Sequence, residues 1–200
     1  MNKRIFLLSL VALITTGCTV KYYTVDEQPK EVAEGNATVT FYYPMTLTLA
    51  VPTAPIVVQT NENELVPVGI TMSGCKTRYE VSPGKYTFMV GGKIAAFVDV
   101  TAAPDKHYYV RLDNQIGYFG SASRYEIHPY TEEELADENV KNSLKWAKLL
   151  KMNEDAEKWF SVNKDKLQQK FNDGIDAYKK AVQEGTKKEV LPEDGIDILL

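Results

Sequence analysis

From Ala37 to Pro129 apolar residues recur at every second position in short runs, and Pro, Gly and Asp punctuate the gaps between them. A side-chain period of two fits a strand with one buried face and excludes an amphipathic helix, whose period is about 3.6. In ATVTFYY, Ala37, Val39, Phe41 and Tyr43 share one face, and Thr38, Thr40 and Tyr42 share the other. That is a half-buried strand rich in β-branched and aromatic residues, ended or pushed to an edge by Pro44. Thr46 to Val51, Ile56 to Thr60 and Glu64 to Met72 read as further strands, with Pro67 placing the last at an edge or a bulge. In TRYEV-SPG-KYTFMV, Pro83 and Gly84 suit the central positions of a turn, which predicts a hairpin. Gly91-Gly92 predicts a second reversal. Ile94, Ala96, Val98 and Val100 then share a face, Tyr108, Val110 and Leu112 point inward from HYYVRLD, and SRYEIHP buries Tyr125 and Ile127. The expected fold class is mainly β: an antiparallel β-sandwich (Ig/transthyretin-like) over 37–130, followed by C-terminal amphipathic α-helices.

The pattern changes after Tyr130. Thr131 and Glu134 form a capping box, with Glu132 and Glu133 at the positive end of a helix dipole. Val140, Leu144, Ala147 and Leu150 recur at helical spacing. A second run from Asn153 carries Ala156, Trp159 or Phe160, Leu167, Phe171, Ile175, Tyr178 and Val182. It predicts a helix of roughly 30 residues unless Gly174 interrupts it, ended by Gly185. The helical extension is bounded at 131–186 and a tail at 187–200, whose GIDILL end requires cover as an added strand or a docking peptide. The apolar stripe of the long helix packs either on the sandwich and first helix or on a partner.

The N-terminus reads as an address. Residues 1–18 run MNKRIFLLSLVALITTGC: Lys3 and Arg4, an apolar stretch from Ile5 to Ile14, then Thr15, Thr16 and Gly17 leading into Cys18. That stretch is shorter than the roughly 20 apolar residues a membrane-spanning helix needs, so it reads as an export signal. A small residue followed at once by cysteine resembles the lipobox of bacterial lipoproteins, although Thr15 stands where that class prefers Leu. The resemblance implies a lipoprotein signal peptide at 1–17, cleavage before Cys18, and acylation (palmitate among the chains) of Cys18, the lipid-attachment residue. Thr19 rather than Asp after the cysteine resembles lipoproteins sorted to the outer membrane. The alternative is an ordinary signal peptide cut near Gly17, leaving a plain thiol. Residues 18–36 become polar after Val25 and read as a lipidated N-terminus and tether lifting the domain off the bilayer.

Removing residues 1–17 leaves 183 residues and takes away Lys3 and Arg4, so the formal charge moves from −4 to −6. An acidic body with no basic stripe excludes an ordinary nucleic-acid binder and leaves membrane attachment to the acyl chains. With Cys18 acylated, Cys75 is the one remaining thiol and no internal disulfide forms. The order of segments Thr38–Tyr43, Pro83–Phe88, His107–Arg111 and Arg124–His128 resembles a family of small bacterial lipoproteins carrying a domain of unknown function, DUF2846. The resemblance covers about residues 37–130 and implies a fold and a location, with no activity attached.

Chemistry is sparse. The two histidines, His107 and His128, fall on the face opposite Tyr108 and Tyr125, with Arg111 and Glu126 nearby; a closed metal site needs more ligands, so no metal and no cofactor is expected. No G-x-S-x-G elbow and no phosphate loop occurs. Tyr109 alternates to the outer face, and Tyr118 and Phe119 lie in the Gly-bounded IGYFGS, so these three are the candidate ligand-binding residues. The expected function is a non-catalytic, lipid-anchored envelope protein at the outer membrane facing the periplasm, whose sandwich binds or scaffolds. Its partners would be membrane lipid, through acylated Cys18, and an envelope protein, through the C-terminal helices. The alternative is a glycan- or peptide-binding lipoprotein using its exposed aromatics; an enzyme is the least favoured class.

Overall fold

A computed structural model describes residues 21–45, 53–60, 64–115, 124–187 and 189–200. The strands are β1 (Tyr23–Val25), β2 (Ala37–Tyr43), β3 (Pro55–Gln59), β4 (Leu65–Ile70), β5 (Cys75–Val81), β6 (Gly84–Gly91), β7 (Ala95–Ala102), β8 (His107–Gln115), β9 (Arg124–Pro129) and β10 (Lys148–Met152). The helices are α1 (Glu132–Ala136), α2 (Glu138–Trp146) and α3 (Glu154–Gln183), with a 3₁₀ turn at Pro192–Asp194. The expected strand at Thr46–Val51 lies outside the described residues.

Two sheets carry the core. One has six strands in the order β1-β10-β5-β2-β8-β9; the other has four in the order β4-β3-β6-β7. The alternating residues read from the sequence meet between them: Val39, Phe41, Val58, Phe88, Val98, Val100, Tyr108, Val110 and Leu112 are buried in one cluster. The Phe41 and Phe88 rings close the middle at 5.2 Å. Pro67 sits in edge strand β4, and the β3–β4 register shifts between Ile56 and Val57, so edge and irregularity are both realised. Gly91 does turn the chain back, and β6 and β7 pair over eight positions.

Four expectations are corrected. The sandwich is not all antiparallel, because β2 runs parallel to β8 and β10 parallel to β5. The Pro83-Gly84 turn makes no hairpin. β5 pairs with β2 and β6 with β3 and β7, so the turn is a corner between sheets. Its flanking residues Tyr79 and Phe88 then meet ring to ring at 6.3 Å. Strand β2 is central, and all seven of its residues are buried rather than one face alone. Ile94, expected to share the inward face, is 56% exposed because β7 begins one residue later.

The C-terminal region is woven into the sandwich. Residues 148–152, read as helix, form β10 and extend the six-stranded sheet beside β5. The tether is shorter than expected: β1 pairs with β10 through Tyr23↔Met152 and Val25↔Leu150, and Tyr23 is buried. Further along, Glu80 accepts hydrogen bonds from the Ala33 N–H and the Asn36 side chain, holding residues 33–36 to β5.

Helix α3 runs unbroken for 30 residues, about 45 Å of helix. The Asn153 side chain caps it by accepting from the Ala156 N–H, with Glu154, Asp155 and Glu157 in the first turn. Its stripe of Ala156, Phe160, Leu167, Phe171, Ile175 and Tyr178 covers the outer residues of the four-stranded sheet, Val57, Met89 and Phe97. Gly174 does not break the helix. A Cβ there would stand 2.7 Å from the Phe97 ring, so glycine is what lets helix and strand approach. Gly185, at φ 69°, ends it as expected.

Candidate functional site

The outer face of the six-stranded sheet carries most of the residues singled out from the sequence. Strand alternation brings Thr38, Thr40 and Tyr42 of β2, Lys76, Arg78 and Glu80 of β5, and His107 and Tyr109 of β8 to one side, with Thr40 between Arg78 and Tyr109 in register. That face is covered. Leu135 of α1, Leu144 of α2 and Ala147 pack on Tyr42, Tyr109 and Tyr130, with Ile196 and Leu200 of the tail alongside.

Tyr109 is therefore not the exposed aromatic expected from alternation. It is 2% exposed, its hydroxyl accepts from the Leu200 N–H at 2.6 Å, and burial pushes its pKa up. Alternation put it on the correct face, but the helices and tail close that face to a ligand. Tyr118, Phe119 and Cys18 lie outside the described residues.

The histidines do not meet. His128 stands opposite Arg111, four residues along β8 from His107. The His107 Nδ1 is 2.9 Å from the Thr38 hydroxyl, and its backbone exchanges hydrogen bonds with Ile196. Burial, then the Arg78 charge, holds its pKa down. The His128 Nε2 is 2.8 Å from Glu134, whose other oxygen accepts from the Thr131 N–H. Burial raises the Glu134 carboxyl, but those hydrogen bonds together leave it below its ordinary value. One oxygen thus ties α1 to β9 and the other closes the helix's own capping box. Among the described residues no group of three or more His, Cys, Asp and Glu could hold a metal ion. Cys75 is a buried free thiol whose pKa burial raises.

Sequence reasoning missed Lys76. In β5 it shares the outer side with Arg78 and Glu80, yet only 7% of it is exposed. The ammonium donates to the Leu144 carbonyl at 2.7 Å and the Leu200 carbonyl at 2.9 Å, tying α2 and the tail to β5. Burial, aided by the Arg78 charge, lowers its pKa to about 8. Nothing in the sequence signals this, because the cover comes from residues more than sixty positions away.

A concavity lies elsewhere, between the flank of α3 and the neighbouring strands β7 and β9: a cleft of about 1170 Å³. Lys166, Lys170 and Asp173 of α3 line one wall, and Phe97, His128 and Glu134 stand on the other side. The Lys170 ammonium donates to the Gly92 carbonyl at 2.8 Å, and the Tyr178 hydroxyl accepts from the Asp99 N–H at 2.9 Å. The cleft mixes charges of both signs over an apolar floor, chemistry that suits an extended polar ligand or a protein segment. Arg124 also lines it and follows directly on the segment that carries Tyr118 and Phe119. Comparison with protein-family models and with curated proteins gives no match for this chain.

Proposed function

We propose that this chain is a lipid-anchored protein of the bacterial cell envelope, held by acylated Cys18 at the periplasmic face of the outer membrane, with a body that binds or scaffolds and does not catalyse. The observation that carries the reading is the Gly17-Cys18 pair closing the apolar stretch 5–14. Among the described residues no helix is long and apolar enough to cross a membrane. The buried ionisable groups Lys76 and Tyr109 are engaged in holding α2 and the tail to the sheet, which supports a structural use of that face. The partner surface is the α3 flank of the cleft, an envelope protein being its ligand. The finer type of the sandwich, Ig- or transthyretin-like, and the kinship with the DUF2846 lipoproteins belong to the same proposal.

Intact mass of the protein from a bacterial membrane fraction tests the anchor. The expected N-terminus is Cys18 with added acyl mass, and Cys18→Ser moves the protein into the soluble fraction. An unmodified thiol, or a wild-type protein that stays soluble, refutes the proposal. For the body, Asp173→Lys on the cleft wall is expected to reduce recovery of the envelope partner; unchanged recovery removes the cleft from the reading.

One observation favours a second reading. Arg124 lines the cleft and stands five residues after Phe119 in the sequence, so a glycan or peptide is the alternative ligand. Tyr118→Ala and Phe119→Ala would then weaken binding of peptidoglycan fragments measured by calorimetry, while leaving partner recovery intact.

A further inference from the structure

We infer that the surface formed by Lys21, Tyr22, Trp159 and Val162 lies against the bilayer that holds the Cys18 acyl chains. The inference rests on the lipid-anchored reading and goes beyond it, because it fixes which side of the domain meets lipid. The argument begins with reach. Five residue steps separate Cys18 from Tyr23, and a fully extended chain spans at most about 3.6 Å per residue, so the leash is no longer than about 18 Å. Tyr23 itself is immobilised: it is buried, it is paired to Met152 in the sheet, and Asn153 donates to the Lys21 carbonyl at 3.3 Å. A globular chain of this size is about 40 Å across. The anchor therefore reaches only the part of the surface around the start of β1.

That part has the chemistry of a lipid interface. Tyr22 and Trp159 meet edge to face at 6.4 Å, both half-buried, and the Lys21 ammonium lies 5.3 Å from the Tyr22 ring centre. Val162, one turn further along α3, is 76% exposed. At three- and four-residue spacing exposed Lys158 and Lys166 flank the apolar pair, with exposed Asp155 and Asp165 beside them. Tyr and Trp with neighbouring Lys are the side chains that settle at the headgroup level, apolar body toward the acyl chains and polar end toward water. The acyl chains supply the affinity, and this face sets the orientation. The consequence is a domain lying on the membrane, with the β1–β10 edge and the start of α3 turned toward it.

The chain has two tryptophans, which makes the orientation measurable. Trp146 is 85% exposed and precedes the Lys148 end of β10, whereas Tyr23 and Asn153 are at its Met152 end. Full-length lipidated Trp146→Phe and Trp159→Phe proteins, each keeping one indole, are reconstituted into phosphatidylethanolamine–phosphatidylglycerol vesicles with brominated acyl chains. Trp159 is expected to lose about half its emission, as befits a side chain seated at the headgroup–acyl boundary, while Trp146 is unchanged. Val162→Asp, at an exposed position, reduces that quenching without reducing flotation with the vesicles. Protein that carries acyl mass and floats, but whose Trp159 is not quenched, overturns the inference and leaves the anchor standing. Protein that carries no acyl mass and does not float overturns the anchor, and the inference with it.

Discussion

Two covered sheet faces stand on opposite sides of the same core, and they are built from different materials. The outer face of the four-stranded sheet is apolar and takes one continuous lid, α3, whose Phe171 and Tyr178 rings lie 5.4 and 5.5 Å from Phe97. The outer face of the six-stranded sheet presents Thr38, Thr40, Lys76, Arg78 and Tyr109, and takes a composite lid of two short helices and the tail. Among the described residues, Thr40 Oγ1 and Arg78 Nε are buried there without a hydrogen-bond partner. One face is held by area removed from water, and the other by a smaller apolar cluster joined to directional bonds from Lys76 and to Tyr109. A lid of the first kind announces itself in a sequence. A lid of the second kind does not.

The contrast can be broken from either side, and the apolar side should give the larger effect. Phe171→Ala empties a 1%-exposed position between α3 and Phe97, and is expected to cost about 3–5 kcal/mol in urea unfolding. A loss below about 1 kcal/mol would mean that α3 does not hold that face. Lys76→Ala is the matching cut on the polar side. It orphans the Leu144 and Leu200 carbonyls and should cost about 2–3 kcal/mol, with hydrogen exchange rising first in α2.

Titration sharpens the same comparison. Lys76 is a base whose folded pKa, about 8, lies below its ordinary 10.5. Between those values the unfolded chain takes up the proton first, so this group's contribution is full above 10.5 and is lost as pH falls toward and through 8. Wild-type stability, followed by urea unfolding from pH 7.5 to 9.5, should therefore rise relative to Lys76→Met; parallel curves would show that the ammonium is not desolvated.

A smaller effect is expected where two terms oppose. Gly174→Ala gains up to about 1 kcal/mol of helix propensity but presses a methyl into Phe97 at 2.7 Å, an overpacking worth about 1–3 kcal/mol. The net expectation is a loss of about 1 kcal/mol, read as a lowered midpoint of thermal unfolding, and a gain would mean the helix can retreat from the strand. Smallest of all, Lys164→Ala removes an exposed ion pair with Glu64 and should leave the midpoint unmoved at any salt concentration.

Legibility followed the same division. The core strands were readable because one inward face per strand leaves a period-two trace, and Val98, Val100, Tyr108, Val110 and Leu112 are buried where alternation put them. The capping box at Thr131 and Glu134, the 30-residue helix and its Gly185 end were readable because their signals are local. Partner choice was not. The Pro83-Gly84 turn looks the same whether the next strand returns beside β5 or crosses to the other sheet, and Leu149-Leu150 suit a helix until β5 offers an edge. The candidate site was less legible still. Tyr109 was assigned to the correct face and the wrong environment, and Lys76 drew no assignment at all, since alternation gives a direction and says nothing of what lies beyond it.

What the amino-acid order alone determined is therefore local: the period of each segment, its punctuation, its caps, and an apolar N-terminal stretch ending in Gly17-Cys18. What only the tertiary structure decided is adjacency: parallel pairing of β10 on β5, the close approach of Gly174 to Phe97, and the burial of a lysine beneath a tail 124 residues away. The physical reason is that period and capping arise from bonds and side chains within a few residues, whereas burial depends on which distant surface wins the competition to cover a face.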